Sequence, residues 1–257
     1  PFYQYGAEFY KPNGLEPDLT SEQGIEAFKM WTELYSKFNI PKDIPVLLEH
    51  FRSGSLPIGI ADVDMYMMLS VGAPELAGKW KMLPLPGVRR PDGTVARWSH
   101  HEPMTAQQEP SSIVMMSSSE RKDEAWAFID WWTSDEVQSR FSNDIELQSG
   151  MAYRWYTANL AAMQTIPWPE DDLEALNEQA RWVKNTPYVP GYYYLNRVVD
   201  FAWNSTVVGR EPPREALGQS ELDLAREMMR KQEEFGLTPE DDLGIEAYDQ
   251  PHEGRTP

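Results

Sequence analysis

The residues best placed to do chemistry are Asp62 and Asp64, which follow the apolar run Leu56-Pro57-Ile58-Gly59-Ile60-Ala61. Two carboxylates one residue apart at the exit of a buried strand could hold a divalent cation in a sugar-nucleotide transferase. They could also act as the carboxylate pair of a glycosidase, at separations of roughly 5–5.5 Å or 6.5–9.5 Å according to mechanism. The transferase role also needs a basic or helix-terminal diphosphate site. The chain, with 41 acidic against 23 basic residues and a net charge of −18, shows none. The plainer use of Asp62 is to cap the helix that follows, which keeps a ligand role open to Asp64.

Other catalytic patterns are missing. The sequence has no HExxH, no phosphate-cradling Gly-rich loop, no GxGxxG and no GxSxG nucleophile elbow. His100 and His101 are adjacent, and chain neighbours point in different directions, so the pair makes a poor metal site. His50 falls in a short helix and His252 in the tail, neither with a partner at useful spacing. The absence of cysteine excludes disulfides, thiolate metal ligands and thiol nucleophiles. No catalytic residue, metal or cofactor is therefore expected, and the chain does not read as an enzyme. Its acidity, without any Lys/Arg cluster, disfavours nucleic acid and anionic membranes as partners. No stretch approaches the ~20 apolar residues of a membrane span. The opening Pro-Phe-Tyr-Gln-Tyr carries neither an initiator Met nor a signal segment, and reads as a piece of a longer protein.

The elements that must position these residues follow from periodicity. Thr20 and Gln23 have capping-box spacing, and Ile25, Phe28, Trp31, Tyr35 and Phe38 recur at helical intervals until Pro41. A short helix is expected over Val46–Ser53. Apolar runs at Leu56–Ala61, Trp80–Leu85 and Ser111–Met116 read as buried strands, with a short helix after Asp64 and a turn at Pro91-Asp92-Gly93. A helix from Ser119 should bury Ala125, Trp126, Ile129 and Trp132. Thr133 and Glu136 open another, with Val137 and Phe141 on one face. Further helices are expected over 157–165, 170–184, 192–208 and 213–235, the last closed by Gly236. The acidic tail from Thr238 reads as extended or loosely ordered. Short strands separated by helices, then a run of helices, define an α/β class.

Three ordered stretches carry a family resemblance. Residues 51–87, FRSGSLPIGIADVDMYMMLSVGAPELAGKWKMLPLPG, hold a helix ending in Phe-x-x-Gly, a strand with an exit loop, and a later Leu-Pro-x-Pro-Gly. Residues 111–141, SSIVMMSSSERKDEAWAFIDWWTSDEVQSRF, give a return strand and two successive helix starts. Residues 186–224, TPYVPGYYYLNRVVDFAWNSTVVGREPPREALGQSELDL, give a Pro-Gly approach followed by two helices. In order and spacing these resemble family 1 extracellular solute-binding proteins, the sugar receptors of bacterial ABC importers.

The resemblance implies an α/β, periplasmic-binding-protein-like type II fold, of which this chain is the carboxy-terminal portion with a helix-rich C-terminal half. Residues 1–108 and 156–237 would then belong to the carboxy-terminal lobe, 109–155 would cross to the amino-terminal lobe, and 238–257 would be the acidic tail. Family members carry a whole amino-terminal lobe ahead of the point that corresponds to Pro1. The family's ligand lies in an interlobe cleft. Position by position, the resemblance implies Asp62, Asp64 and Tyr66 at the strand exit, and Tyr192, Tyr193, Tyr194 and Arg197 after Pro190-Gly191. It adds Gln4 at the entry strand, and Arg154 with Trp155 at the last crossing.

The implied ligand is a mono- or oligosaccharide, the implied partner a membrane permease of an ABC importer, and the implied location extracellular, as an anchored lipoprotein or in the periplasm. Sugars suit the aromatic content, because their C–H faces stack on rings and their hydroxyls take polar side chains. Many family members have an aromatic where this chain has Asp64, which also admits a cationic solute or peptide. A glycoside-active enzyme and a purely structural or interaction protein are the remaining alternatives.

Overall fold

The computed structural model describes residues 1–42, 46–90, 93–100 and 113–245. In chain order the helices are α1 (Phe2–Tyr5), α2 (Glu22–Ser36), α3 (Leu47–Arg52), α4 (Asp64–Gly72), α5 (Lys122–Thr133), α6 (Asp135–Ser149), α7 (Leu160–Met163), α8 (Glu170–Ala180), α9 (Leu195–Val207) and α10 (Pro213–Phe235). The strands are β1 (Val88–Arg89), β2 (Val95–Ala96), β3 (Ser99–His100) and β4 (Val183–Lys184). The chain divides into two compact units. The first comprises Pro1–Asp43, Leu85–Pro103 and Arg181–Arg255; the second comprises Ile44–Pro84, Met104–Ala180 and Thr256–Pro257.

The first unit is built on α2, α9 and α10. Phe28, Leu195, Val198, Leu217, Leu224 and Met228 from these helices are almost fully buried in one cluster. Helix α10 runs over the expected residues because Pro213 opens it and Gly236, with φ of 71°, closes it in the left-handed region. Helix α2 starts one residue later than the capping-box reading. The Thr20 backbone N–H and hydroxyl both donate to the Glu221 carboxylate of α10, at 2.6 and 2.7 Å. Ser21 becomes the cap, its hydroxyl accepting from the Gly24 N–H at 3.2 Å. Ser21→Ala is expected to cost this unit about 1 kcal/mol in a denaturation experiment. The helix also stops before Pro41: Asn39 takes a positive φ of 53°, and Phe38 is left 64% exposed.

The expected strands at Leu56–Ala61 and Trp80–Leu85 are not formed, nor is the described part of the third, 113–116. Ile58 and Ile60 are 81% and 70% exposed, so the first run is not buried either. An apolar run becomes a strand only where a neighbour supplies its ladder, and that is a non-local condition. The described ladders are short. In β1–β2, Val88 stands opposite Ala96 in an antiparallel pair, and in β3–β4, Ser99 stands opposite Val183 in a parallel one. His101 and residues 111–112 lie outside the described residues.

The second unit centres on Tyr66, Met67, Met163, Ile166, Trp168 and Leu176. Helix α5 starts at Lys122 rather than Ser119, and buries no residue fully. Its expected stripe is half-buried at Ala125, Ile129 and Trp132, whereas Trp126 is exposed. Ser134, not Thr133, caps α6 through the Val137 N–H at 3.4 Å, because the Thr133 hydroxyl donates back to the Ile129 carbonyl. Helices α7, α8 and α9 are shorter than expected, and the tail is more ordered at its start. Leu243 and Ile245 pack on the first unit's core, and the Leu243 N–H donates to the Asn13 carbonyl at 3.0 Å. Residues 246–257 lie outside the described residues.

Candidate functional site

In the first unit the site residues grow from a single turn. Gly191, with φ of 89°, lets the chain enter a 3₁₀ turn, Tyr192–Tyr194, that runs directly into α9. Helix α10 holds this turn at two points. Met228 lies so close that a Cβ on Gly191 would stand 3.0 Å from its Cα. At the preceding residue of α10, the Tyr193 hydroxyl donates to the Glu227 carboxylate. Arg230 grips the same carboxylate, with Nη2 at 2.6 Å and Nε at 3.0 Å. The hydrogen bonds from Arg230, then from Tyr193, lower the Glu227 pKa to about 2.

The rings of the turn face outward in part. Tyr192 is 40% and Tyr193 53% exposed, and Tyr188 meets Tyr192 edge-on with ring centres 4.7 Å apart. The Arg197 guanidinium lies over Tyr194 and Phe201. Gln4, also in this unit, donates from Nε2 to the Pro86 carbonyl at 3.1 Å.

The second unit holds the other candidates. Asp62 and Asp64 are exposed at the start of α4. The capping role expected for Asp62 is not realised: Val63 takes the cap position without a side-chain bond, and Asp62 contributes its backbone carbonyl to the Met65 N–H at 3.2 Å. Tyr66 is 7% exposed, edge-on to Trp80 and Trp168, and its hydroxyl donates to Asp172 Oδ2 at 2.8 Å. Arg154 is buried as well. Its Nε and Nη2 bind the Glu146 carboxylate at 2.7 and 2.6 Å, Nη2 also reaches the Pro167 carbonyl, and its guanidinium lies 4.6 Å from the Trp168 ring centre. Trp155 donates to Gln138 Oε1 at 3.3 Å and packs edge-on to Phe141.

Tyr66 and Arg154 therefore meet on the same Trp168 ring, inside a packed polar network. Burial first, and the hydrogen bond to Asp172 second, push the Tyr66 phenol up to about 12. An unfolded Tyr titrates near 10, so the folded state holds this proton more tightly. The resulting stability is full below about pH 10 and is lost as pH rises toward about 12. Denaturation midpoints of the wild type and Tyr66→Phe should therefore converge across that window.

Among the described residues no group of three or more His, Asp or Glu side chains could hold a metal ion, and no helix is long and apolar enough to cross a membrane. The sequence reading did not single out Tyr188, Phe201, Glu227 or Arg230. Phe201 lies four residues after Arg197, and Glu227 three before Arg230, which are helical-neighbour spacings legible in the sequence.

Residues 2–153 match the model of the bacterial extracellular solute-binding protein family, and the chain belongs to that family. Three solved structures show how the chain folds. The sugar-binding protein MalE from Xanthomonas citri is 18% identical with a TM-score of 0.70, aligned over 92% of this chain and 56% of its own. An ABC transporter solute-binding protein from Thermotoga lettingae, bound with α-D-tagatose, is 17% identical with a TM-score of 0.58, over 88% and 54%. A putative oligosaccharide periplasmic-binding protein from a Synechococcus strain is 17% identical with a TM-score of 0.60, over 89% and 57%. The fold is thus α/β and periplasmic-binding-protein-like, of the MalE kind, and the chain spans just over half the length of these structures. No curated protein sequence matches the chain significantly.

Proposed function

We propose that the chain is part of the extracellular solute receptor of an ABC importer, and that its solute is a mono- or oligosaccharide delivered to a membrane permease. The observation that carries the sugar reading is the exposed ring set at Tyr188, Tyr192 and Tyr193, braced from behind by α10. Rigid ring surfaces beside hydrogen-bonding groups match the alternating C–H faces and hydroxyls of a sugar. Membership of a family of binding proteins supports a non-catalytic role. A lipid anchor or a periplasmic location completes this proposal.

Calorimetric titration with maltose, maltotriose, D-tagatose and spermidine tests it. Saturable binding of a sugar is expected, with an affinity about fivefold lower in Tyr192→Ala, the scale of one aromatic contact. Binding of spermidine instead, abolished in Asp64→Asn, would replace the sugar with a cationic solute. Turnover of chromogenic glycosides, lost in Asp62→Asn, would replace the receptor with an enzyme.

A further inference from the structure

Helix α10 carries successive i,i+3 ion pairs: Asp223–Arg226 at 2.7 Å, Glu227–Arg230 at 2.6 Å and Lys231–Glu234 at 2.7 Å. Such pairs contribute little on an exposed helix. Among the described residues, the middle pair alone has a carboxylate reached by a side chain from another element, the Tyr193 hydroxyl. Glu227 is also the least exposed acid of these pairs, its side chain at 18% against 38% for Asp223 and 53% for Glu234.

The Tyr193 phenol has one proton to donate, and it goes to Glu227. Its oxygen lies 3.3 Å from Arg230 Nη2, and Arg230 holds Glu227 through Nη2 and Nε. Each of the three groups thus touches the other two. The hydrogen bond to Glu227, ahead of desolvation, raises the Tyr193 pKa, as expected for a proton held by an ionised acceptor. The backbone end of the residue is fixed as well, because Gly191 seats the turn against Met228. A ring pinned at its backbone and at its far oxygen keeps one side-chain direction, while 53% exposure leaves its faces open.

We propose that Glu227 is a positioning residue of the sugar site: held by Arg230, it fixes the Tyr193 ring through the phenolic hydroxyl, and so sets part of the aromatic surface on which the sugar packs. This inference rests on the sugar reading above and deepens it. The donor proton of Tyr193 is spent on α10, so its contact with the sugar is made by the ring face. Tyr193→Phe therefore keeps the contact and removes the positioning. Affinity is gained here by holding the surface ready before the sugar arrives, at a residue that does not touch it.

The test is calorimetric titration of the 257-residue chain with maltose, maltotriose and D-tagatose. The proteins compared are the wild type, Glu227→Ala, Tyr193→Phe, the double variant of these two, Glu227→Gln and Asp223→Ala. Glu227→Ala and Tyr193→Phe should each lower sugar affinity about threefold, the scale of one hydrogen bond. The double variant should lose no more than either, because both changes remove the same bond. Glu227→Gln, whose amide oxygen still accepts, should keep most of the affinity. Asp223→Ala breaks a neighbouring pair of the same kind and should leave affinity unchanged. The phenol adds a signature that helix stability does not move. Phenolate absorbance, as wild type minus Tyr193→Phe, should titrate above the usual value of about 10; as Glu227→Ala minus the double variant, it should return toward that value. Additive losses in the double variant, an equal loss in Asp223→Ala, or a phenol titration indifferent to Glu227 would overturn this inference and leave the sugar reading standing. Failure of every sugar to bind would overturn both.

Discussion

Alanine at Arg154 is expected to destabilise the second unit by about 3–5 kcal/mol, the cost of breaking a buried ion pair from one side. The Arg154 side chain is 3% exposed and that of Glu146 17%. Removing the guanidinium strands the Glu146 carboxylate, frees the Pro167 carbonyl and uncovers part of the Trp168 ring, which Tyr66 meets edge-on. Peptide-level hydrogen exchange is the direct measurement: amides across 138–176 should exchange about a hundredfold faster or more, following the lost free energy. Glu146→Gln keeps an acceptor and should cost less, about 1.5–3 kcal/mol. Arg154→Leu with Glu146→Leu should recover most of the loss, because the apolar pair has no charge to desolvate.

How much of this was legible in the sequence depends on how local the deciding interaction is. Helix α10 could be read to the residue, because its amphipathic period, Pro213 and Gly236 are all carried by the segment itself. The starts of α2 and α6 were each misplaced by one residue, for related reasons. Thr20 gives its hydroxyl to Glu221, some two hundred residues away, and Thr133 gives its own to the preceding helical turn. A threonine beside a serine offers two caps, and only the surroundings choose between them. The apolar runs at 56–61 and 113–116 show the limit more sharply. Their composition favours burial, yet Ile58 and Val114 stay largely exposed because burial needs a covering layer that no local pattern specifies.

The same division holds for the candidate site. Tyr192, Tyr193, Tyr194 and Arg197 share one turn and the helix after it, so a reading along the chain finds them together. Tyr66 and Arg154 are aromatic and basic residues of the kind that line ligand sites. Here the Tyr66 hydroxyl is engaged by Asp172 of α8, and Nε and Nη2 of Arg154 by Glu146 of α6, while Arg154 Nη1 stays buried without a partner. Side-chain type proposes a role, and the partner that satisfies the side chain decides it. Glu227 and Arg230 went unnoticed because an i,i+3 pair on an exposed helix is ordinary. It acquires meaning only when Tyr193 arrives from another element.

Gly191→Ala is expected to be the second severe change, and the one that ties stability to the site. The φ of 89° costs a residue with a Cβ about 1–2 kcal/mol. The new Cβ would also meet Met228 at 3.0 Å from Cα, 3.1 Å from Cγ and 3.2 Å from N, a crowding of the kind that costs about 1–3 kcal/mol. Together these give about 2–5 kcal/mol, measurable as a shift in the denaturation midpoint of the first unit. Gly236→Ala supplies the internal control. Gly236 has a φ of 71° but open space around it, so it should show the backbone cost alone. Trimming Met228 to alanine should not rescue Gly191→Ala, because two of the three contacts are to backbone atoms that every residue has. The strain has to be relieved by moving the turn away from α10, which pulls Tyr193 from Glu227 and displaces Tyr192 and Arg197 with it. Sugar affinity should then fall in Gly191→Ala by more than in Tyr193→Phe, which loses the hydroxyl but keeps the turn. Equal losses would mean that the hydroxyl bond, rather than the close approach of glycine to helix, sets the geometry of the aromatic surface.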